Sequence, residues 1–428
     1  METSEAERRA ATTVVVAGQG YVGLPIAMRA VEVGYDVIGY EPDPARAKRL
    51  IDADSYVEDV SDDDLAAALR TGRYRTTDLP SGCAGFDVAV ITVPTPLTEG
   101  APDLSYIERC AEELAPLVRP GVTVILESTT YPGTTEELLV PILERGSGLS
   151  AGEDFLVGYS PERIDPGNKT WTFVTTPKVV SGIDETSAEA VATFYRTLVD
   201  DVVPVSNPKV AELTKLLENT FRHVNIALVN ELAMFAGELG VDVWEAIDAA
   251  STKPFGFMRF TPGPGVGGHC LPVDPSYLSW RVKQTLGATF RFVELANDIN
   301  DHMPEYVAQR VILSLNQQGK PVKGSKILIL GLSYKKNSGD LRVSPVPVLC
   351  ERLAGLGAEV RACDPLVSIG ELKAGIKPVN FDRNEVVNAD LVVIATDHDS
   401  FEWNLLDEAA HILDTRHQMS KQQNVEYL

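Results

Sequence analysis

A cysteine set among glycines and prolines stands at Gly267-Gly268-His269-Cys270-Leu271-Pro272-Val273-Asp274. The stretch 261–275 has too little apolar periodicity for a core element, so its thiol reads as a chemical group rather than a small buried hydrophobe. A thiolate beside a carboxylate, here Asp274, suits attack on a carbonyl. The other four cysteines, at 83, 110, 350 and 363, fall in strand or helix patterns and read as packing. A second group lies on a helical stretch, where Lys215, Asn219 and Arg222 follow one another at i, i+4 and i+7. Spacing alone makes that stripe a solvated polar face, with positions 213, 216, 217, 220 and 224 as the buried one. Ser160-Pro161-Glu162-Arg163 follows an apolar run at 155–158, the end of a strand where open α/β sheets place ligands.

The clearest local signal is at the N-terminal side. A β-branched run ends in Gly18-Gln19-Gly20-Tyr21-Val22-Gly23, and Glu41 stands 23 residues after Gly18 at the tip of the next apolar run. Glycines at this spacing let a backbone approach a pyrophosphate at a helix N-terminus, and the acid accepts ribose hydroxyls. Negative charge at Glu41 occupies the place of a 2′-phosphate and favours NAD over NADP. Arg46 nearby works in the opposite sense.

These residues need a scaffold, and the chain supplies a repeated one. Residues 12–18 read as a buried strand, 20–34 as a helix and 36–41 as a second strand, with further strands at 87–92 and 122–127. Strands alternating with helices imply a parallel doubly wound sheet. Asn207 caps a helix expected over 208–240, roughly 32 residues and about 48 Å long. A helix of that length spans between domains or builds a subunit interface. The first pattern then returns, with strands at 326–331, 359–364 and 390–396 and a helix over 344–356. The expected fold is α/β, with two Rossmann-like doubly wound domains joined by a long central helix and a helical dimerisation domain. The expected divisions are 1–204, 205–318 and 319–428, with a linker near 317–325.

Composition narrows the class. The 428 residues carry a formal charge of −23, and 44% are hydrophobic. So acidic a chain argues against a broad nucleic-acid or anionic-membrane surface, and no run is as long as a membrane span. The polar, acidic first residues lack a signal peptide's apolar core, and the odd, scattered cysteines suit reduced thiols in the cytoplasm. No His/Cys spacing indicates a metal.

Eight ordered motifs resemble the UDP-glucose/GDP-mannose dehydrogenase superfamily over nearly the whole chain. They are GxGYVGLP (18–25), VPTP (93–96), ESTTYPGTTEE (127–137), SPERIDPGN (160–168), AELTKLLENTFRHVN (211–225), PGPGVGGHCLPVDP (262–275), GLSYKKNSGDLRVSP (331–345) and DTR (414–416). The resemblance implies an NAD domain, a helical dimerisation core and a C-terminal UDP domain. It also implies a four-electron oxidation of a UDP-sugar using two NAD⁺, in a homodimer or larger homo-oligomer.

Carried over by position, Cys270 is the nucleophile, while Lys215, Asn219 and Asp274 surround the sugar C6. Glu162 activates water and Thr129 lies near the nicotinamide. Gly18, Gly20, Tyr21, Val22, Gly23, Glu41, Arg46, Thr95 and Arg342 correspond to dinucleotide contacts. Arg163, Ile164, Arg222, Gly267, Tyr334, Lys335 and Arg416 correspond to nucleotide-sugar contacts. Glu41 replaces a more usual Asp. Where UDP-N-acetylmannosamine dehydrogenases resemble an Arg-His-Pro-Arg stretch, this chain has Ser251-Thr252-Lys253-Pro254-Phe255-Gly256-Phe257. That puts Lys253 in place of an arginine lent to the neighbouring subunit's site. The combination looks most like UDP-N-acetylglucosamine 6-dehydrogenases, with UDP-glucose as the alternative substrate. A 3-hydroxyacid-type dehydrogenase would need neither Cys270 nor a second doubly wound domain. An inactive nucleotide-sugar-binding protein would not be expected to keep Cys270, Lys215 and Asp274 together.

Overall fold

The computed structural model describes residues 9–98, 100–164, 168, 170–268, 270–367 and 375–428, except the side chain of Cys270. The chain forms two compact units, Met1–Glu218 and Asn219–Leu428.

In the first unit, β1 (Thr13–Ala17) ends at Gly18, followed by α1 (Gly23–Glu32), β2 (Asp36–Tyr40), α2 (Pro44–Ile51), α3 (Asp62–Arg70) and β3 (Tyr74–Thr77). Beyond them come β4 (Val88–Ile91), the short pair β5 (Leu97–Thr98) and β6 (Ala101–Pro102), α4 (Ser105–Leu114), β7 (Thr123–Leu126) and α5 (Val140–Ser147). Then follow β8 (Leu156–Tyr159), β9 (Lys178–Gly182), α6 (Glu185–Arg196) and β10 (Val202–Pro204). The sheet order is β10-β9-β8-β7-β4-β1-β2-β3, parallel throughout apart from the β8–β9 pair. Both faces are buried, which explains the continuous apolar runs. Val14, Val16, Val90 and Ile125 enter one core, while Val15, Ala17, Ala89, Ile91, Val124 and Leu126 enter the other.

The long helix α7 (Pro208–Ala236) begins where Asn207 accepts a hydrogen bond from the Val210 N–H at 3.0 Å. It has 29 residues rather than the 32 expected. It stops at Gly237, and the Val241 N–H turns back to the Ala236 carbonyl around Gly240, whose φ is +70°. Glycine tolerates that left-handed turn at little steric cost.

In the second unit come α8 (Val243–Ser251), α9 (Cys270–Leu286) and α10 (Arg291–Gln317). The expectation that 261–275 holds no core element is corrected at its C-terminal end, because α9 begins at Cys270 and contains Pro275. First-turn amides have no intrahelical partner, so a proline at Pro272 removes no helix bond. The second sheet comprises β11 (Lys326–Leu330), β12 (Glu359–Cys363), β13 (Lys377–Pro378), β14 (Leu391–Ile394), β15 (Ile412–Asp414) and β16 (Val425–Tyr427). Two helices accompany it, α11 (Pro345–Gly355) and α12 (Arg383–Asn388). Its order, β13-β12-β11-β14-β15-β16, is fully parallel. Again alternate residues divide between two cores, Ile327 and Ile329 on one side, Leu328 and Leu330 on the other. Each sheet reverses its winding beside its first strand, where doubly wound folds bind ligands.

Candidate functional site

Glycines dictate the loop after β1. A Cβ on Gly18, whose φ is +90°, would lie 2.8 Å from the Thr92 carbonyl oxygen, and one on Gly23 would lie 1.9 Å from the Gly18 oxygen. These two let the strand turn and α1 pack. At Gly20 an added Cβ meets only Arg46 Nη2, at 3.9 Å. That cradle is the backbone approach a pyrophosphate requires, so these residues fit a dinucleotide.

The acid at the tip of β2 is in place. Glu41 is buried and accepts from the amides of Gln19 (3.4 Å) and Asp43 (3.3 Å) and from the Tyr56 hydroxyl (3.4 Å). Arg46 pairs with Glu41 at 3.8 Å and lies over the Tyr56 ring, 4.5 Å from its centroid. Burial, then the Glu41 charge, push the Tyr56 phenol up to about 12. Arg46 is thus engaged by the acid that would repel a 2′-phosphate. Val22 packs on the core under α1, Tyr21 is exposed, Thr95 is buried past β4, and Thr129 is half-buried past β7.

A charged cluster gathers past the ends of β7 and β8. Lys178 touches Glu127 and lies 3.4 Å from Glu162, and Tyr195 donates to Glu127 at 2.5 Å. The Glu162 carboxylate also accepts from the amides of Arg163, at 2.6 Å, and Ile164. Burial pushes the Glu127 carboxyl up to about 7. Burial also acts to raise Glu162, but Lys178, a hydrogen bond from Glu127, Lys215 and the Ile164 N–H outweigh it and hold this carboxyl below its ordinary range. Arg163 reaches Glu218 at 2.7 Å and the Pro177 carbonyl at 2.5 Å. Ile164 lines a cavity of about 590 Å³ beneath α1 and α3, with Met28, Val60, Ala68, Trp171 and Phe173.

Along α7 the stripe assignment holds at Leu216 and Thr220, which are buried, and fails at Leu213, Lys215, Leu217 and Asn219. Lys215 and Asn219 are 7% and 5% exposed, whereas Leu213 and Leu217 are 42% and 63% exposed. The reason is polar partners from distant chain. Glu212 accepts from the amides of Gly133 (2.6 Å) and Thr135 (2.9 Å), capping the helical turn there, and burial pushes its carboxyl up to about 7. Asn219 donates to Asp274 at 2.7 Å. His223 meets Asn297 at 2.8 Å, Asn230 donates to Asn300 at 2.9 Å, and the Gly263 amide donates to Asn230 at 2.9 Å. Buried polar groups persist where they are bonded in this way. Arg222 alone of the expected stripe is exposed.

Two sequence-distant motifs pack together in the second unit. A Cβ on Gly267 would lie 2.4 Å from Tyr334 Cβ, and one on Gly268, at φ +80°, 2.6 Å from the Tyr334 ring. The Gly268 amide donates to the Arg342 carbonyl at 3.0 Å, while the Arg342 guanidinium binds Asp340 at 2.7 Å. Arg416 donates to the Ala395 carbonyl at 2.7 Å and crowds Gly263, where a Cβ would lie 2.6 Å from Nη1. Lys335 is half-buried, and Lys253 is exposed with its ammonium 4.8 Å from the Phe255 centroid. Cys270 opens α9; its side chain, the central element of the expected chemistry, lies outside the described residues, as does His269. The remaining cysteines are buried, and burial pushes the thiols of Cys83 and Cys350 up to about 12 and that of Cys363 to about 11.

Sequence reasoning missed Lys178, Glu212, His223 and Asn230. The usable signal was charge inside an apolar frame, as in Pro177-Lys178-Val179-Val180, where a strand begins with a cation.

Comparisons with known proteins agree across the chain. Residues 12–199 match the NAD binding domain of the UDP-glucose/GDP-mannose dehydrogenase family, 209–302 its central domain and 328–421 its UDP binding domain. A UDP-N-acetyl-D-mannosamine dehydrogenase of Pyrococcus horikoshii is 38% identical over 390 residues, covering 91% of this chain and 90% of the relative. A UDP-N-acetyl-D-glucosamine 6-dehydrogenase of Pseudomonas aeruginosa is 37% identical over 395 residues, 91% of each chain. A solved structure of the UDP-D-ManNAc dehydrogenase from P. horikoshii matches with a TM-score of 0.88 at 35% identity, covering 97% of this chain and 98% of the other. Among the described residues no helix is long and apolar enough to cross a membrane.

Proposed function

The chain belongs to the UDP-glucose/GDP-mannose dehydrogenase family, and from that premise we propose that it oxidises the C6 alcohol of a UDP-hexose to the carboxylate. The favoured substrate is of the UDP-N-acetylglucosamine type, with UDP-glucose as the alternative. The observation that carries the reading is the burial of Lys215 on α7 beside the carboxylate of Glu162, both within the first unit. Buried polar groups disposed in this way suit stabilisation of charge on a reacting oxygen.

NAD, held by the 18–23 loop and Glu41, supplies hydride acceptance when bound. The protein's own groups do the rest. Lys215 and Asn219 steady the oxygen at C6 as its charge changes. Cys270 traps the aldehyde as a thiohemiacetal, which keeps a reactive carbonyl from escaping, and its oxidation gives a thioester. Glu162 then takes a proton from water as the water oxygen attacks the acyl carbon; the carbon–sulfur bond breaks and the Cys270 thiolate departs. The exposed apolar residues of α7, including Leu217, Phe221, Leu228 and Phe235, support a homodimer, with Lys253 reaching the partner's sugar nucleotide. Sedimentation as a monomer at micromolar concentration would remove that part of the reading.

NADH formation on a panel of UDP-sugars, with both C2 epimers of the N-acetylhexosamine and UDP-glucose, tests the function. Two NADH and one uronic acid are expected per sugar consumed. One NADH per sugar with a free aldehyde or ketone as product would overturn the four-electron reading.

A further inference from the structure

Behind Glu162 lies a buried cation that the chemistry above does not use. Lys178, the first residue of β9, is 3% exposed, and Glu127, just past β7, is 1% exposed. The Lys178 ammonium meets Glu127, the Pro161 carbonyl at 3.2 Å and Glu162 at 3.4 Å. An ammonium has three donors, and these three acceptors match them. The far oxygen of Glu127 accepts from Tyr195 of α6 at 2.5 Å, and the Tyr195 and Phe173 ring centroids lie 5.1 and 5.6 Å from the ammonium. The groups facing Glu162 are therefore Lys178 from β9, Glu127 from the end of β7, Lys215 from α7 and the amides of residues 163 and 164. The Arg163 guanidinium is turned away, to Glu218.

We propose that Lys178, clamped by Glu127 and Tyr195, is the positioning residue that fixes the Glu162 carboxylate for water activation. This rests on the proposed role of Glu162 in clearing the thioester from Cys270. Two buried carboxylates without a cation between them share a proton and neither keeps a fixed aim. Lys178 breaks that symmetry by its two unequal contacts. The rear acid, Glu127, is closed off by Tyr195, while Glu162 is anchored from behind and keeps its amide contacts in front. A general base requires both ionisation and aim, and Lys178 serves both without touching the substrate. A purely architectural salt bridge from β9 to the end of β7 would be complete with Glu127 alone.

The test uses the full chain, NAD⁺ and whichever UDP-sugar the wild type oxidises. The covalent adduct is followed by intact-protein mass spectrometry, and its decay is measured between pH 4 and 9. In Lys178→Met the adduct should accumulate and decay at least roughly tenfold more slowly, a fraction of what general bases contribute. Removing the cation should move the acid limb of the decay to higher pH, with KM for NAD⁺ unchanged. Glu127→Gln, nearly isosteric and informative even if Lys178→Met fails to fold, should move that limb to lower pH, because the carboxyl pair no longer takes up a proton near 7 and Lys178 is left to Glu162 alone. Limbs that stay in place in the folded variants overturn the inference, even if rates fall uniformly. A wild type that never forms an adduct overturns the reading of Cys270 and this inference with it; a wild type that forms and clears it beside unmoved variants overturns this inference alone.

Discussion

Cys270→Ser is expected to lower steady-state NADH formation from the UDP-sugar by roughly 10³-fold or more, on the scale seen when a covalent nucleophile is removed. A serine hydroxyl ionises far less readily than a thiol near neutral pH, so capture of the aldehyde slows. Any ester that does form has an alkoxide as leaving group and should clear slowly. The first oxidation needs no nucleophile, so a burst near one NADH per site, followed by aldehyde or a persistent adduct, is the expected signature. Cys270 as the first residue of the 17-residue helix α9 also suits this role, because a helix N-terminus favours a thiolate. Cys110→Ser is the control. Cys110 is buried in the core of the first unit and burial raises its thiol, so the exchange should leave kcat close to the parent value. Near-parental turnover in Cys270→Ser would show that this cysteine is structural.

Lys215→Met carries the second large effect, a fall in kcat of about 10²- to 10³-fold, the loss typical of one oxyanion donor. Methionine keeps the length and the apolar stem while deleting the charge, so packing on α7 is largely retained. The loss should appear in kcat and in kcat/KM for the sugar nucleotide together, since the interaction is made with charge that develops during reaction. KM for NAD⁺ should hardly move. A rate within about threefold of the parent, in a variant with normal helicity and melting, would return Lys215 to the role of a buried spectator.

How far these residues were legible depends on where their partners come from. The 18–23 loop and Glu41 were readable because strand, turn, helix and acid follow one another within one local unit, and the turn needs glycine for reasons internal to it. Both sheets were readable for the same reason, since strands buried on both faces leave unbroken β-branched runs. The α7 stripe was misread in part, with Leu216 and Thr220 placed correctly but Lys215 and Asn219 put in water, because amphipathicity assumes that polar side chains face water. Here Glu212, Asn219 and His223 find acceptors and donors 55 to 79 residues away along the chain. Nothing local marks those meetings; what was left exposed instead is a row of leucines and phenylalanines. Motif resemblance singled out Lys215 and Asn219 despite that spacing, but it had no motif position for Lys178. That lysine acquires its meaning only when β9 is laid antiparallel to β8, a pairing the apolar pattern does not specify.

The second sheet repeats the first down to an acid at the tip of its second strand, yet the repetition stops at that carboxylate. Asp364 accepts from the amides of Leu332 (2.7 Å) and Ser333 (3.1 Å) with one oxygen, which His398 also meets at 3.1 Å, and from Leu366 with the other. In the first sheet the matching amide, Gln19, reaches its acid only at 3.4 Å. Where the first loop has glycine at its third and sixth positions, the second has Ser333 and Lys336. A polypeptide carrying two such sheets in a cell full of dinucleotides faces a sorting problem, since both ligands of the family present a diphosphate. Both oxygens of Asp364 are thus held more closely by the chain itself than those of Glu41 are. An acid already bonded by its own loop has less to offer a ribose, in keeping with the match of this sheet to a UDP binding domain rather than an NAD binding one.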